Sequence, residues 1–136
     1  MGNRIRDEIA FTAIVNPQNI SASTNSASVQ LTQARRVLAF VQVGALTGTG
    51  TDVTVRLQRS ADGTNWSNIT NKAVTLNANQ QAAIELDAAE LPDADSYVRY
   101  RIELGAGVTG AQVAGVLIVG DARYLPPQSA NTVNFA

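Results

Sequence analysis

Apolar residues alternate with polar ones along most of this sequence, in short runs divided by Gly, Pro, Asn and Asp. Successive side chains of a strand point to opposite faces, so this alternation predicts strands with one buried and one wet face. The clearest run is Asp52 to Gln58, with Val53, Val55 and Leu57 on one side and Asp52, Thr54, Arg56 and Gln58 on the other. Ser96 to Leu104 repeats the pattern: Val98, Tyr100, Ile102 and Leu104 face inward, while Tyr97, Arg99, Arg101 and Glu103 face outward. In a third run, Ala82, Ile84 and Leu86 alternate with Gln81, Ala83 and Glu85. Arg36 to Val43 and Gln112 to Val119 are almost unbroken in apolar residues, which predicts central strands covered on both faces.

Breaker residues place the connections. Glu8 to Val15 predicts a first strand that stops at Asn16-Pro17, because proline has no N–H to give a ladder. Ser21 to Ser28 is made of small polar residues and predicts an exposed loop before a short strand, Ser28 to Thr32. Gly44 to Thr51 predicts a turn, and Asp62-Gly63 supplies the positive φ of a tight hairpin, after which Trp66 and Ile69 restart the apolar pattern. Asn77-Ala78-Asn79 predicts a second hairpin behind Val74 and Leu76. Asp87 to Asp95 leaves room for one helical turn before Pro92, and Gly105, Gly107 and Gly110 mark the last turn. About eight short strands at regular spacing predict an all-β fold, an antiparallel β-sandwich of jelly-roll-like form with N- and C-terminal arms.

At 136 residues the chain matches one domain, residues 1–136, read as an N-terminal arm (1–7), a core (8–125) and a C-terminal tail (126–136). No apolar run approaches the roughly 20 residues of a spanning helix, and the first residues lack the apolar stretch of a signal peptide, so no membrane contact and synthesis in a cytoplasm are expected. Ten basic residues against eleven acidic ones leave a net charge of -1, which argues against nucleic acid as a partner. All the cations except Lys72 are arginines, the side chain suited to planar contacts at interfaces.

Cysteine and histidine are both absent. That removes disulfides, thiolate ligands, the commonest general base and the commonest transition-metal ligand. A serine nucleophile would have only Lys72 as its base. The expectation is a protein with no catalytic residues, no metal, no cofactor and no small-molecule substrate. Asp87, Glu90, Asp93 and Asp95 cluster, but their spacing fits no EF-hand loop, and a solvated turn explains them. Three Asn-X-Ser/Thr sequons begin at Asn19, Asn65 and Asn68 and are expected to be bare without a secretory signal. Trp66 is either core or a recognition ring, with core favoured because a strand follows it. Arg56, Arg59, Arg99 and Arg101 form outward rows that either pair with a neighbouring subunit or face water.

The segment V-T-V-R-L-Q-R-S-A-D-G-T-N-W-S-N-I, Val53 to Ile69, resembles the strand, Asp-Gly turn and aromatic return strand of small β-sandwich structural proteins of tailed bacteriophages. So does V-R-Y-R-I-E-L, Val98 to Leu104. Hairpins of this form also occur in carbohydrate-binding sandwich modules and tail-fibre domains. Size and lack of cysteine are most similar to a capsid decoration, or cement, protein. The resemblance implies a non-enzymatic structural protein on the capsid surface of a virion, clamping neighbouring subunits through loops and terminal arms. Its partners would be major capsid protein and copies of itself in a homo-oligomer, a trimer being one option. The partner-binding residues expected are Arg4, Ile5 and Arg6 in the first arm, Tyr124 and Leu125 after the last strand, and Phe135 in the tail, since apolar groups on arms serve as anchors. The alternative is a carbohydrate- or receptor-binding module of a phage tail fibre, with Trp66, Tyr97 or Tyr100 as a stacking platform. An aromatic content of 5% weighs against it.

Overall fold

The computed structural model describes residues 9–31, 36–91 and 96–120. In chain order the strands are β1 (Ile9–Ile20), β2 (Thr24–Asn25), β3 (Val29–Gln30), β4 (Arg36–Gly48), β5 (Val53–Ser60), β6 (Ser67–Leu76), β7 (Gln80–Asp87), β8 (Tyr97–Leu104) and β9 (Val108–Gly120). One antiparallel sheet has the order β1-β9-β4-β7; the facing sheet has the order β2-β8-β5-β6, with β3 also paired to β8. Because β2 and β3 both lie along β8, they act as one interrupted edge strand. Successive strands then change sheet at every step except the β5–β6 hairpin, which is the jelly-roll winding of an eight-stranded sandwich.

The alternating rows meet between the sheets. Val37, Ala39, Val41 and Leu117 from one sheet and Val53, Val55, Leu57, Val98, Tyr100 and Ile102 from the other are essentially removed from solvent. Tyr100 is the largest of these side chains, and its hydroxyl crosses the sandwich to donate to the Ala13 carbonyl at 2.6 Å. Gly115 on β9 makes room for it: a Cβ there would lie 2.8 Å from the Tyr100 hydroxyl oxygen. Burial pushes the Tyr100 phenol well above its ordinary pKa.

Several expectations need correction. β1 does not stop at Asn16-Pro17 but continues to Ile20, with register shifts between Thr12 and Val15 and between Val15 and Gln18. As an edge strand β1 needs ladder bonds on one side only, and bulges absorb the proline; Ala13 takes a positive φ of 51° at the first irregularity. The polar stretch Ser21 to Ser28 contains β2, held by reciprocal bonds at Ser26, whose amide donates to the Tyr100 carbonyl at 2.9 Å while its hydroxyl accepts from the Tyr100 amide at 3.0 Å. The β5–β6 connection is a wider loop than the tight hairpin expected, with Gly63 at φ 76°. β4 and β9 are longer than predicted, and only one face of each packs into the core. Leu38 and Phe40 of β4 and Val116 and Ile118 of β9 point to the outer face and are half-buried. Among the described residues no third layer lies over them. The helical turn does form, at Ala88–Glu90.

Candidate functional site

The outer face of the β2-β8-β5-β6 sheet pairs its charges within itself. Arg56 is hydrogen-bonded to Glu103, which also lies 3.6 Å from Arg101. Arg99 donates to the Gln58 side chain at 2.8 Å, Arg101 to Asn25 at 2.8 Å, and Gln58 to Asn68 at 2.9 Å. The guanidinium of Arg99 sits 4.3 Å from the centre of the Trp66 ring. Trp66 is therefore not core; it is half-buried on the outer face beneath a cation. Desolvation, with Arg101 nearby, lowers the Arg99 pKa. The loop leading to Trp66 is organised by Asp62, which accepts from the amides of Thr64 and Asn65, both at 2.8 Å, and from the Asn65 side chain and Ser60 hydroxyl. These bonds, led by the Asn65 amide, hold the Asp62 carboxyl well below the usual carboxylate range.

The aromatic platform of the tail-fibre alternative does not assemble. Tyr100 is fully buried, Trp66 is capped by Arg99, and Tyr97 lies half-buried about where a Cβ on Gly63 would touch its ring, at 3.5 Å. The acidic cluster is likewise committed. Asp87 and Glu90 form a capping box on the short helical turn, Glu90 lies 3.3 Å from Lys72, and Asp87 lies 3.7 Å from Arg36. The Asp87 amide is the main cause of a lowered Glu90 pKa. Asp93 and Asp95 lie outside the described residues, among which no group of three or more metal-ligating side chains occurs.

The outer face of the β1-β9-β4-β7 sheet is divided along its length. Ile9, Gly120, Arg36 and Asp87 stand in one row at its end, and next to it Ile118 pairs with Leu38 and Val116 with Phe40. That end is apolar. The following rows pair Gln42 with Ala114 and Gln81, and Asn19 with Gln112. That end is an open cleft of about 630 Å³, in which seven of the twelve lining residues carry side-chain amides and none is charged. At its rim Asn79 takes a left-handed φ of 62°, its amide donating to the Gly44 carbonyl at 3.1 Å. Gln80 accepts from the Asn77 amide at 2.8 Å, which orders the β6–β7 turn.

The partner-binding residues expected from sequence, Arg4, Ile5, Arg6, Tyr124, Leu125 and Phe135, all lie outside the described residues, as do the two arms. The chain enters the apolar end at Ile9 and leaves it at Gly120, paired neighbours in the ladder, so residues 8 and 121 attach side by side there. Sequence reasoning missed the amide cleft. Its only signal was that Gln42, Gln81 and Gln112 each fall on outward positions of separate strands.

No family model matches the sequence, and no curated protein matches it. Solved structures with a similar course include TmCBM61 in complex with beta-1,4-galactotriose, at 13% identity over 84% of this chain and 83% of that one, with a TM-score of 0.43. A CBM4 structure matches at 20% identity over 90% and 74%, with a TM-score of 0.40. The coat protein of tobacco streak virus matches at 10% identity over 98% and 100%, also with a TM-score of 0.40. These similarities carry nothing about ligand or partner; the sandwich architecture stands on the strand order of the chain itself.

Proposed function

We propose that this chain is a non-enzymatic structural protein of a virion, a capsid decoration module that clamps neighbouring subunits through its terminal segments and the apolar end of its β1-β9-β4-β7 sheet. The observation that carries the reading is the half-buried row Leu38, Phe40, Val116 and Ile118 on an outer face, directly beside the points where residues 8 and 121 attach. Apolar side chains facing away from a core that is already complete favour burial against something else.

Magnitude says what else is needed. With Phe11 of β1, the ladder partner of Ile118, the row spans three strands about 4.8 Å apart, and four residues of about 3.3 Å each along them give a patch of roughly 200 Å². A stable interface takes about 800 Å² from each partner, so the patch is about a quarter of one. Residues 1–8 and 121–136, with Arg4, Ile5, Arg6, Tyr124, Leu125 and Phe135, supply the remainder as anchors on major capsid protein or on further copies of this chain.

The test is mass spectrometry of purified virions from the genome that encodes the chain, followed by rebinding of truncated protein to particles stripped of it. The chain should be present in numbers comparable to capsid subunits. Deleting residues 1–7 or 126–136 should abolish rebinding while the circular dichroism spectrum and melting temperature stay unchanged. Absence from particles, or truncated protein that still saturates them, overturns the reading.

A further inference from the structure

We propose that the amide-lined cleft at the other end of the β1-β9-β4-β7 sheet binds a neutral oligosaccharide. The inference stands on the cleft alone and does not depend on the virion reading. Four strands converge there: Asn19 comes from β1, Gln42 from β4, Gln81 from β7 and Gln112 from β9. A primary amide offers donors and an acceptor in one plane, and each hydroxyl of a sugar is both donor and acceptor, so paired amides match vicinal hydroxyls. Among the described residues, the side chains of Asn19, Gln42 and Gln81 make no hydrogen bond of their own and are available to a ligand. Gln112 is held against Gly44: its side-chain oxygen accepts from the Ala45 amide at 3.4 Å and would lie 3.0 Å from a Cβ on Gly44.

Charge and shape narrow the class. With no ionisable residue in the lining, the cleft has nothing to neutralise a phosphate or carboxylate, so the ligand is uncharged. A volume of about 630 Å³ is within the range of small-molecule sites and suits a few linked sugar residues. An extended peptide fits less well. Peptides dock on sheets by adding a strand to a free backbone edge, whereas this cleft lies across the face of the sheet, over β9 and β4, whose backbones are paired on both sides. The cleft lies at the opposite end of the sheet from Ile9 and Gly120. Without an aromatic ring in the lining, the affinity rests on hydrogen bonds and falls in the millimolar range.

The experiment is a titration of the ¹⁵N-labelled full chain, followed by NMR at the side-chain amide resonances. The probes are cellotriose, maltotriose and galactotriose, with 3′-sialyllactose as the charged sugar and capped tetraglycine as the peptide. At least one neutral trisaccharide should shift the amides of Asn19, Gln42 and Gln81, and Gln42→Ala and Gln81→Ala should each weaken binding by roughly three- to tenfold. Both side chains are exposed, and an unchanged melting temperature shows that each variant is folded. No shift up to about 20 mM, well above the affinity expected from a few neutral hydrogen bonds, overturns the proposal. So does binding by the charged sugar or the peptide alone, or a shift confined to the Trp66 loop. The titration contains no particle, so its failure leaves the virion reading untouched, and the reverse holds.

Discussion

The contact between Tyr100 and Gly115 makes a sharp test of how the two sheets are held together. Tyr100→Phe keeps the ring and removes the hydroxyl that donates to the Ala13 carbonyl at 2.6 Å, leaving that nearly buried acceptor unpaired. Such a loss costs about 1–2 kcal/mol. Gly115→Ala does the opposite and adds an atom where none fits. Its Cβ would lie 2.8 Å from the hydroxyl oxygen, 3.0 Å from the carbon that bears it and 3.1 Å from the next ring carbon. The ring is enclosed on every side, so it cannot swing away, and overpacking of this kind costs about 1–3 kcal/mol. A gain of about 0.4–1 kcal/mol from the stiffer unfolded chain offsets part of that.

The two changes meet at one atom, so they should not add. With phenylalanine at position 100 the closest contact disappears, and Gly115→Ala should cost about 1 kcal/mol less than in the wild-type background. Urea unfolding followed by circular dichroism and by the emission of the single tryptophan, Trp66, gives the four free energies of the cycle. Gly120→Ala on the same strand is the control, since the nearest atom to its Cβ would be an Ile9 methyl at 3.5 Å; it should fall within about 0.5 kcal/mol of wild type. A neutral Gly115→Ala, or single costs that add within about 0.3 kcal/mol, would refute the packing argument.

Two pH effects follow from the same geometry. The Tyr100 phenol is raised above its unfolded value of about 10, so its stabilising effect is complete below pH 10 and declines as pH rises beyond it. Stability should drop by up to about 1.4 kcal/mol per pH unit above pH 10, and Tyr100→Phe should remove that slope; a Phe variant with the wild-type alkaline profile excludes Tyr100 as its source. The lowered pKa of Asp62 works in the other direction, contributing above the unfolded value of about 3.9 and failing only as pH falls well below it. The amide resonances of Thr64 and Asn65 should therefore keep their native positions through pH 4 and lose them in Asp62→Ala at any pH; titration near pH 4 in the wild type contradicts the hydrogen-bond network.

The strands with strict alternation were legible from sequence because their wet face carries charge. Arg56, Arg99, Arg101 and Glu103 sit outward, and the rows opposite them are core. β4 and β9 were misread on one face for a simple reason. An apolar residue looks the same in a sequence whether a second layer covers it or not, so Leu38 and Ile118 were indistinguishable from Val37 and Leu117. Pro17 misled in a different way: its effect depends on whether its strand is an edge, which only the pairing decides. Trp66 was placed by the strand that follows it, whereas Arg99 on a neighbouring strand settles its position. The amide cleft had the weakest signal of all, because Asn19, Gln42, Gln81 and Gln112 are far apart in the chain and become neighbours only through register.

The two outer faces differ in what it would cost to cover them. A partner laid on the β8–β5 face would have to desolvate Arg56, Arg101 and Glu103, which already satisfy one another, and could offer them little in return. Removing a charge from water carries an effective penalty of several kcal/mol even for paired groups. Covering Leu38, Phe40, Val116 and Ile118 gains about 25 cal/mol for each Å² removed from water, with charge confined to the margin of the row at Glu85 and the Arg36–Asp87 pair. The same comparison separates the ends of the β1-β9-β4-β7 sheet, since neutral amides cost less to desolvate than ions but reward only a ligand that replaces their hydrogen bonds with water. Shape complementarity is therefore enough at the apolar end, whereas the cleft demands a hydrogen-bonding ligand. The charged face, with its bonds already made, is the part of the molecule best suited to remain in water.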